Sequence, residues 1–144
     1  MAIPVTVAPD PAALLHSPDP KLAAHKKLCY DFYRIVLRGR RLTEAEKYMR
    51  EDYIQHNPNA ETGIKGFKDF FSKLGGELPI PETLADLVWI QAEGDIVTLA
   101  LRREHDDLAH PGHKYSTTWF DMFRVDAGKI AEHWDPATKP VPAK

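Results

Sequence analysis

A chain of 144 residues, 43% apolar and 28% charged, is long enough to close one core and leave room for one pocket. A net charge of −2 leaves no basic footprint for nucleic acid, and no apolar run approaches the roughly 20 residues that a bilayer span needs. The single cysteine, Cys29, excludes an internal disulfide, and no basic stretch followed by an apolar one marks a signal peptide, so a cytoplasmic protein is expected.

Residues 1–20 carry five prolines and little periodicity, and read as an extended arm, laid on a partner subunit or disordered. A folded domain is expected over 21–136 and an irregular tail over 137–144. The first helix should start at Asp19-Pro20, with Asp19 as N-cap and Pro20 in the first helical position. Leu22, Leu28, Cys29, Phe32, Ile35 and Val36 fall on one stripe, and Gly39 suits a C-cap. Thr43-Glu44-Ala45-Glu46 has the form of a capping box and predicts a second helix ending near Arg50. A short strand follows from Asp52 to His56. A third helix is predicted from Ile64 to Leu74, stopped by Gly75-Gly76, and 77–83 forms a proline-bearing linker. Strands are then expected at 84–93, 96–105, 114–125 and 129–135, with hairpin turns at Glu93-Gly94-Asp95 and Asp126-Ala127-Gly128. Helices first and an antiparallel meander last is an α+β order, with the helices on one face of a curved sheet and a ligand cavity between the two.

The end of the chain carries the chemistry. On a strand, His133 and Asp135 share one face and Glu132 and Trp134 the other, and Asp121 lies on the preceding strand. Burying unpaired charge is costly, so this face lines a polar-bottomed cavity or faces water. A carboxylate in an apolar pocket becomes a useful acid or base, which makes Asp135 the leading catalytic candidate and His133 its orienting or proton-shuttling neighbour. His56 is a second acid–base candidate if it lies beside the pocket mouth. Asn57 is either a donor to a substrate oxygen or part of an Asn57-Pro58-Asn59 turn. Arg103 and His105 share a strand face, where they form a cationic pair for a phenolate or carboxylate, or an exposed edge with Asp106 and Asp107. Tyr33 and Trp119 are candidates for stacking on an aromatic ligand. No metal motif of regular spacing occurs, so no metal is expected.

The early helix, YIQHNP (Tyr53–Pro58), the G-x-x-x-F-x-x-F-F run (Gly63–Phe71) and DMFR…GKIAEHWD (Asp121–Asp135) together resemble the SnoaL-like polyketide cyclase group of the nuclear transport factor 2-like (NTF2-like) superfamily, over roughly residues 20–136. The resemblance implies a cone-shaped α+β barrel, a homodimer through the outer sheet face, and a pocket for an apolar carbonyl or aromatic compound. It also implies acid–base chemistry without metal or organic cofactor. Asp135 matches the group's terminal carboxylate. Asp121 matches a polar position where cyclases of the group can carry a histidine. Some relatives are aldol-type catalysts, and some release formaldehyde from lignin-derived diaryl propanediols. The expectation is therefore a cofactor-free lyase, aldolase or cyclase with Asp135, His56, His133 and Asp121 as catalytic groups. An isomerase or dehydratase using the same pocket, and a non-catalytic binding or dimerisation module, are the alternatives.

Overall fold

The computed structural model describes residues 2–142; Met1 and the last two positions of the expected tail lie outside the described residues. Helix α1 (Pro20–Asp31) starts where the sequence places it, with Asp19 Oδ1 accepting from Lys21 N at 2.8 Å. It does not continue as an α-helix. Phe32–Arg38 is wound as a π-helix, which brings residues five apart into line. Gly39 closes it in an ordinary right-handed conformation, so its need for glycine is steric. A Cβ there would meet Ile35 O at 2.6 Å and the Ile80 side chain at 2.8 Å.

The second helix is a short 3-10 helix, Leu42–Lys47, and its capping box does not form: no side chain caps its start. Strand β1 (Met49–Gln55) consequently begins three residues earlier than predicted. Helix α2 (Gly63–Ser72) follows, then β2 (Leu87–Glu93), β3 (Ile96–Asp106), β4 (Lys114–Asp126) and β5 (Lys129–Trp134). β2 starts late because Leu84–Asp86 forms a turn, with Leu87 N donating to Leu84 O.

The meander β2-β3-β4-β5 is antiparallel as expected, and β1 joins its open edge beside β5 in parallel, giving the order β1-β5-β4-β3-β2. A bulge in β5 lets both Ile130 and Ala131 turn inward, which sets the phase of everything after them. The core lies between helices and sheet. Phe32 is its hub, edge-on to Phe123 at 5.8 Å between ring centroids and tilted against Phe67 at the same distance.

The arm is neither free nor fully extended among its described residues. Val5 N donates to Ser116 Oγ, Ala8 N donates to Leu87 O, and Pro11–Leu15 forms a 3-10 turn, so the arm lies on its own sheet. Among the described residues no helix is long and apolar enough to cross a membrane.

Truncating the hub tests this packing. Phe32→Ala should lower the unfolding free energy by about 3–5 kcal/mol in urea denaturation; a loss below about 1 kcal/mol would show that the core does not depend on this ring.

Candidate active site

Parallel pairing of β1 with β5 sets Gln55 opposite His133, and the β4–β5 ladder sets Phe123 opposite His133. Asp121 lies two residues before Phe123, on the same inward face. His133 stacks on Phe123 at 4.8 Å, so its ring edge points at polar groups while its face is dry. Asp121 and His133 are the two polar residues within the buried set, 5% and 8% exposed.

Their hydrogen bonds fix most of the protons. Gln55 Oε1 accepts from Asn57 N at 3.0 Å, and Gln55 Nε2 donates to the Tyr53 hydroxyl at 2.9 Å, which orients the amide. His133 Nδ1 stands 2.8 Å from that same Oε1 and therefore carries a hydrogen. His133 Nε2 faces Asp121 Oδ1 at 2.7 Å. Asp121 Oδ2 accepts from the Tyr33 hydroxyl at 2.8 Å and from Trp119 Nε1 at 3.1 Å. Asp121 thus takes hydrogen bonds from a phenol and an indole on one oxygen and meets the imidazole edge with the other. Asp135 Oδ2 lies 3.9 Å from the same Nε2. It accepts from Asn57 Nδ2 at 2.7 Å, and Oδ1 accepts from Ala137 N at 2.9 Å. Two carboxylates thus flank one imidazole nitrogen.

This cluster forms the polar part of a cavity of about 560 Å³. Its walls are largely aromatic, from Phe32, Phe67, Phe70, Phe71, Trp119 and Phe123, with Tyr33 and Tyr53 beside the carboxylates and Arg38 and Arg103 also on the lining. Burial raises the Tyr53 phenol well above its usual range, and Asp121 and Asp135 add to that. Tyr33 is raised by burial and then by the Asp121 carboxylate it bonds. Both are held as neutral O–H donors. Tyr33 gives its proton to Asp121; Tyr53 accepts from Gln55 and has its own hydrogen to offer to the cavity.

Of the residues singled out in the sequence, Asp121, His133, Asp135, Asn57, Tyr33, Trp119 and Arg103 line the cavity. Asn57 is committed: its amide nitrogen holds Asp135 and its Oδ1 accepts from Asn59 N, so it orients the carboxylate. His56 lies elsewhere. Strand alternation turns it to the outer sheet face, 44% exposed, where Nε2 meets Glu132 Oε1 at 2.7 Å and the ring stacks on Trp134 at 5.1 Å. His56, and then Arg124, hold the Glu132 carboxyl below its ordinary range. His105 also misses the cavity, because β3 runs past the cavity rim there; it stacks on Tyr115 and bonds Thr117 Oγ1 at 2.9 Å. His110 pairs with Asp107 in an exposed loop. Tyr53 and Gln55 were not singled out, although strand alternation through YIQH puts them on the face opposite His56.

Asp121, His133 and Asp135 place one ligand atom each within 4.8 Å of one another, a spacing a divalent cation could use. Nε2 is already bonded to Asp121, so a cation would have to open that 2.7 Å contact and take its place.

The two phenols on the cavity wall give a signature at high pH. Their folded-state pKa lies above the ordinary 10.0, so their contribution to stability is complete below about pH 10 and is lost as pH rises beyond it. Ultraviolet difference spectra should fall short of full phenolate amplitude by at least two of the five tyrosines until the chain unfolds; full ionisation with native near-ultraviolet dichroism would contradict the site's geometry.

A SnoaL-like domain model matches residues 30–133. No curated protein sequence matches the chain. Among solved structures, the chain is similar to a candidate SnoaL-like polyketide cyclase from Jannaschia sp. CCS1, with 14% identity, a TM-score of 0.58, and 84% of this chain and 91% of that one covered. It is also similar to a LEH-like epoxide hydrolase from M. tuberculosis, at 15% identity, TM-score 0.56 and 81% and 84% coverage. TerC, co-crystallised with polyporic acid, is similar at 17% identity and TM-score 0.55, with 78% and 89% covered. At these identities the likeness is one of fold, and that fold is the NTF2-like α+β cone. With the domain model spanning most of its length, the chain belongs to the SnoaL-like domain family.

Proposed function

We infer that the protein is a cofactor-free acid–base enzyme acting on an aromatic or cyclic carbonyl or hydroxyl compound, of the lyase, aldolase or cyclase kind. One observation carries this reading: an imidazole held between two carboxylates, beside a phenol with a free proton, on the wall of an aromatic cavity. A buried imidazole–carboxyl contact held by several hydrogen bonds is more than packing needs, and such arrangements concentrate at sites that move protons. The family membership and the similar cyclase and epoxide hydrolase folds support an enzyme of this coarse type.

The geometry divides the work. Asp135, oriented by Asn57 and Ala137 N, takes a proton from the carbon beside a carbonyl or from a hydroxyl. The Tyr53 hydroxyl donates to the oxygen on which charge develops. His133, its Nδ1–H fixed by Gln55 and its Nε2 paired with Asp121, returns a proton to the carbanion or alkoxide and recovers it from Asp135, whose Oδ2 lies 3.9 Å from Nε2. Asp121 acts through His133 and is anchored by Tyr33 and Trp119. The steps need no cofactor, because the electron pair released by deprotonation either forms the new carbon–carbon bond or receives the returning proton. Formaldehyde release from a diaryl propanediol is one specific form of this reading: Asp135 removes the primary hydroxyl proton, that electron pair becomes the formaldehyde C=O as the carbon–carbon bond breaks, and the pair from the broken bond takes the proton returned by His133.

Proton exchange at the α-carbon of an aryl ketone in deuterated water, followed by NMR, tests the reading without a known substrate. Asp135→Asn should slow exchange at least about 100-fold, and Tyr53→Phe should slow it less, while His56→Gln leaves it unchanged. Equal rates for wild type and Asp135→Asn would remove Asp135 from the mechanism. Treatment with a chelator should leave the rate intact; full loss restored by a divalent ion would place a cation between Asp121, His133 and Asp135.

The homodimer belongs to the same reading. Trp89 and Phe120, each more than half exposed, lie in one row across the outer face through Ala100, and Met122 and Trp134 pair in the adjoining row. Sedimentation should give a dimer for the wild type and a monomer for Phe120→Lys; a monomeric wild type would overturn the assignment.

A further inference from the structure

Arg103 is the charged group of the cavity lining that the proton-moving cluster does not use. Its guanidinium lies over the Trp119 ring, 4.0 Å from the centroid. The other arginine on the lining, Arg38, is paired with Asp86 at 2.5 Å. Arg102, next in sequence, turns outward to Glu104. Among the described residues Arg103 has no carboxylate within ion-pair distance, and its guanidinium is stacked on the indole. Stacking engages the flat face of a guanidinium and leaves its N–H edges free, which is the geometry that grips a carboxylate with two parallel hydrogen bonds.

The position of this cation relative to the proton-moving groups gives it a meaning. Trp119 Nε1 donates to Asp121, so a single indole separates Arg103 from the carboxylate–imidazole cluster. On β3, Arg103 pairs with Thr117 and Leu99 with Asp121, so cation and carboxylate stand four strand positions apart, about 13 Å along the backbone before their side chains converge on Trp119. The inner end of the cavity carries two carboxyl groups, Asp121 and Asp135, around one imidazole, whereas Arg103 brings a guanidinium to the other end. A ligand with charge at one end would therefore enter in one orientation only.

We propose that Arg103 is the anchor for a carboxylate on the substrate, which is thus an aromatic acid whose reacting carbon lies about one ring's width from its carboxylate. This rests on the reading of the cavity as the substrate site. The aromatic walls receive the ring, Arg103 holds the acid group, and the carbonyl or hydroxyl end reaches Tyr53, His133 and Asp135.

Isothermal titration with a naphthalene carboxylic acid and the matching naphthalene methanol tests the anchor independently of turnover. The acid should bind the wild type at least about tenfold more tightly than the alcohol. Arg103→Gln should abolish this preference while leaving affinity for the alcohol and the melting temperature unchanged, and Asp135→Asn should retain the preference. An acid that binds no better than the alcohol would overturn the proposal, as would a preference that survives Arg103→Gln or disappears instead with Arg38→Gln. The ketone exchange experiment reads Asp135 with an uncharged ligand, so loss of exchange with an intact acid preference would defeat the catalytic reading alone, and the converse the anchor alone.

Discussion

The parallel register of β1 against β5 is the constraint on which the site depends. It brings the YIQHN segment against the EHWD segment, more than seventy residues further along the chain. With Gln55 opposite His133, a single amide orients the imidazole, receives the Asn57 backbone N–H and reaches Tyr53. A slip of one residue would turn Gln55 outward and Ile54 in, leaving the His133 Nδ1–H buried without an acceptor. The cost of such an orphan, and of the unpaired Asp121 charge that would accompany it, makes the register specific.

β5 presents two imidazole–carboxylate pairs back to back, and the contrast between them is instructive. Inside, His133 meets Asp121 between aromatic rings; outside, His56 meets Glu132 with Arg124 and Trp134 beside it. The bonding partners are chemically alike and the distances equal. What differs is solvent. The outer pair is screened and can exchange protons only with water, whereas the inner pair opens on a chamber walled by hydrocarbon, where a positioned dipole retains its strength.

Much of this was legible in the residues. The start of α1, the two hairpins and the apolar period of α2 follow from local chemistry, and they came out within a few residues of where the sequence places them. The capping box at Thr43 did not form because the chain had to become strand by Met49, leaving space for only two turns of 3-10 helix. The parallel docking of β1 was not legible, since nothing local distinguishes it from an antiparallel edge. In the site, alternation along the last strand correctly put His133 and Asp135 on one face, and Asp121 joined them across the hairpin. The same alternation, applied to β1, separates His56 from Tyr53 and Gln55, so the imidazole of that segment lies outside and its phenol and amide lie inside. Arg103 and His105 share a face as expected, but the cavity ends between them.

The π-wound segment Phe32–Arg38 has a consequence for how this chain tolerates change in length. A winding of this kind holds one residue more than an α-turn would over the same rise, and here the surplus aligns Tyr33 with Arg38, whose guanidinium lies 5.3 Å from the ring. Loss of a single codon in this stretch would relax it to ordinary helix without unfolding anything. Because the surplus residue is absorbed over the same rise, the flanking segments would keep their places while the residues between them shift by one position. Asp121 would then forfeit its phenolic donor or Gly39 its seat against Ile80, so a shortened chain keeps its shape and loses one of these two contacts.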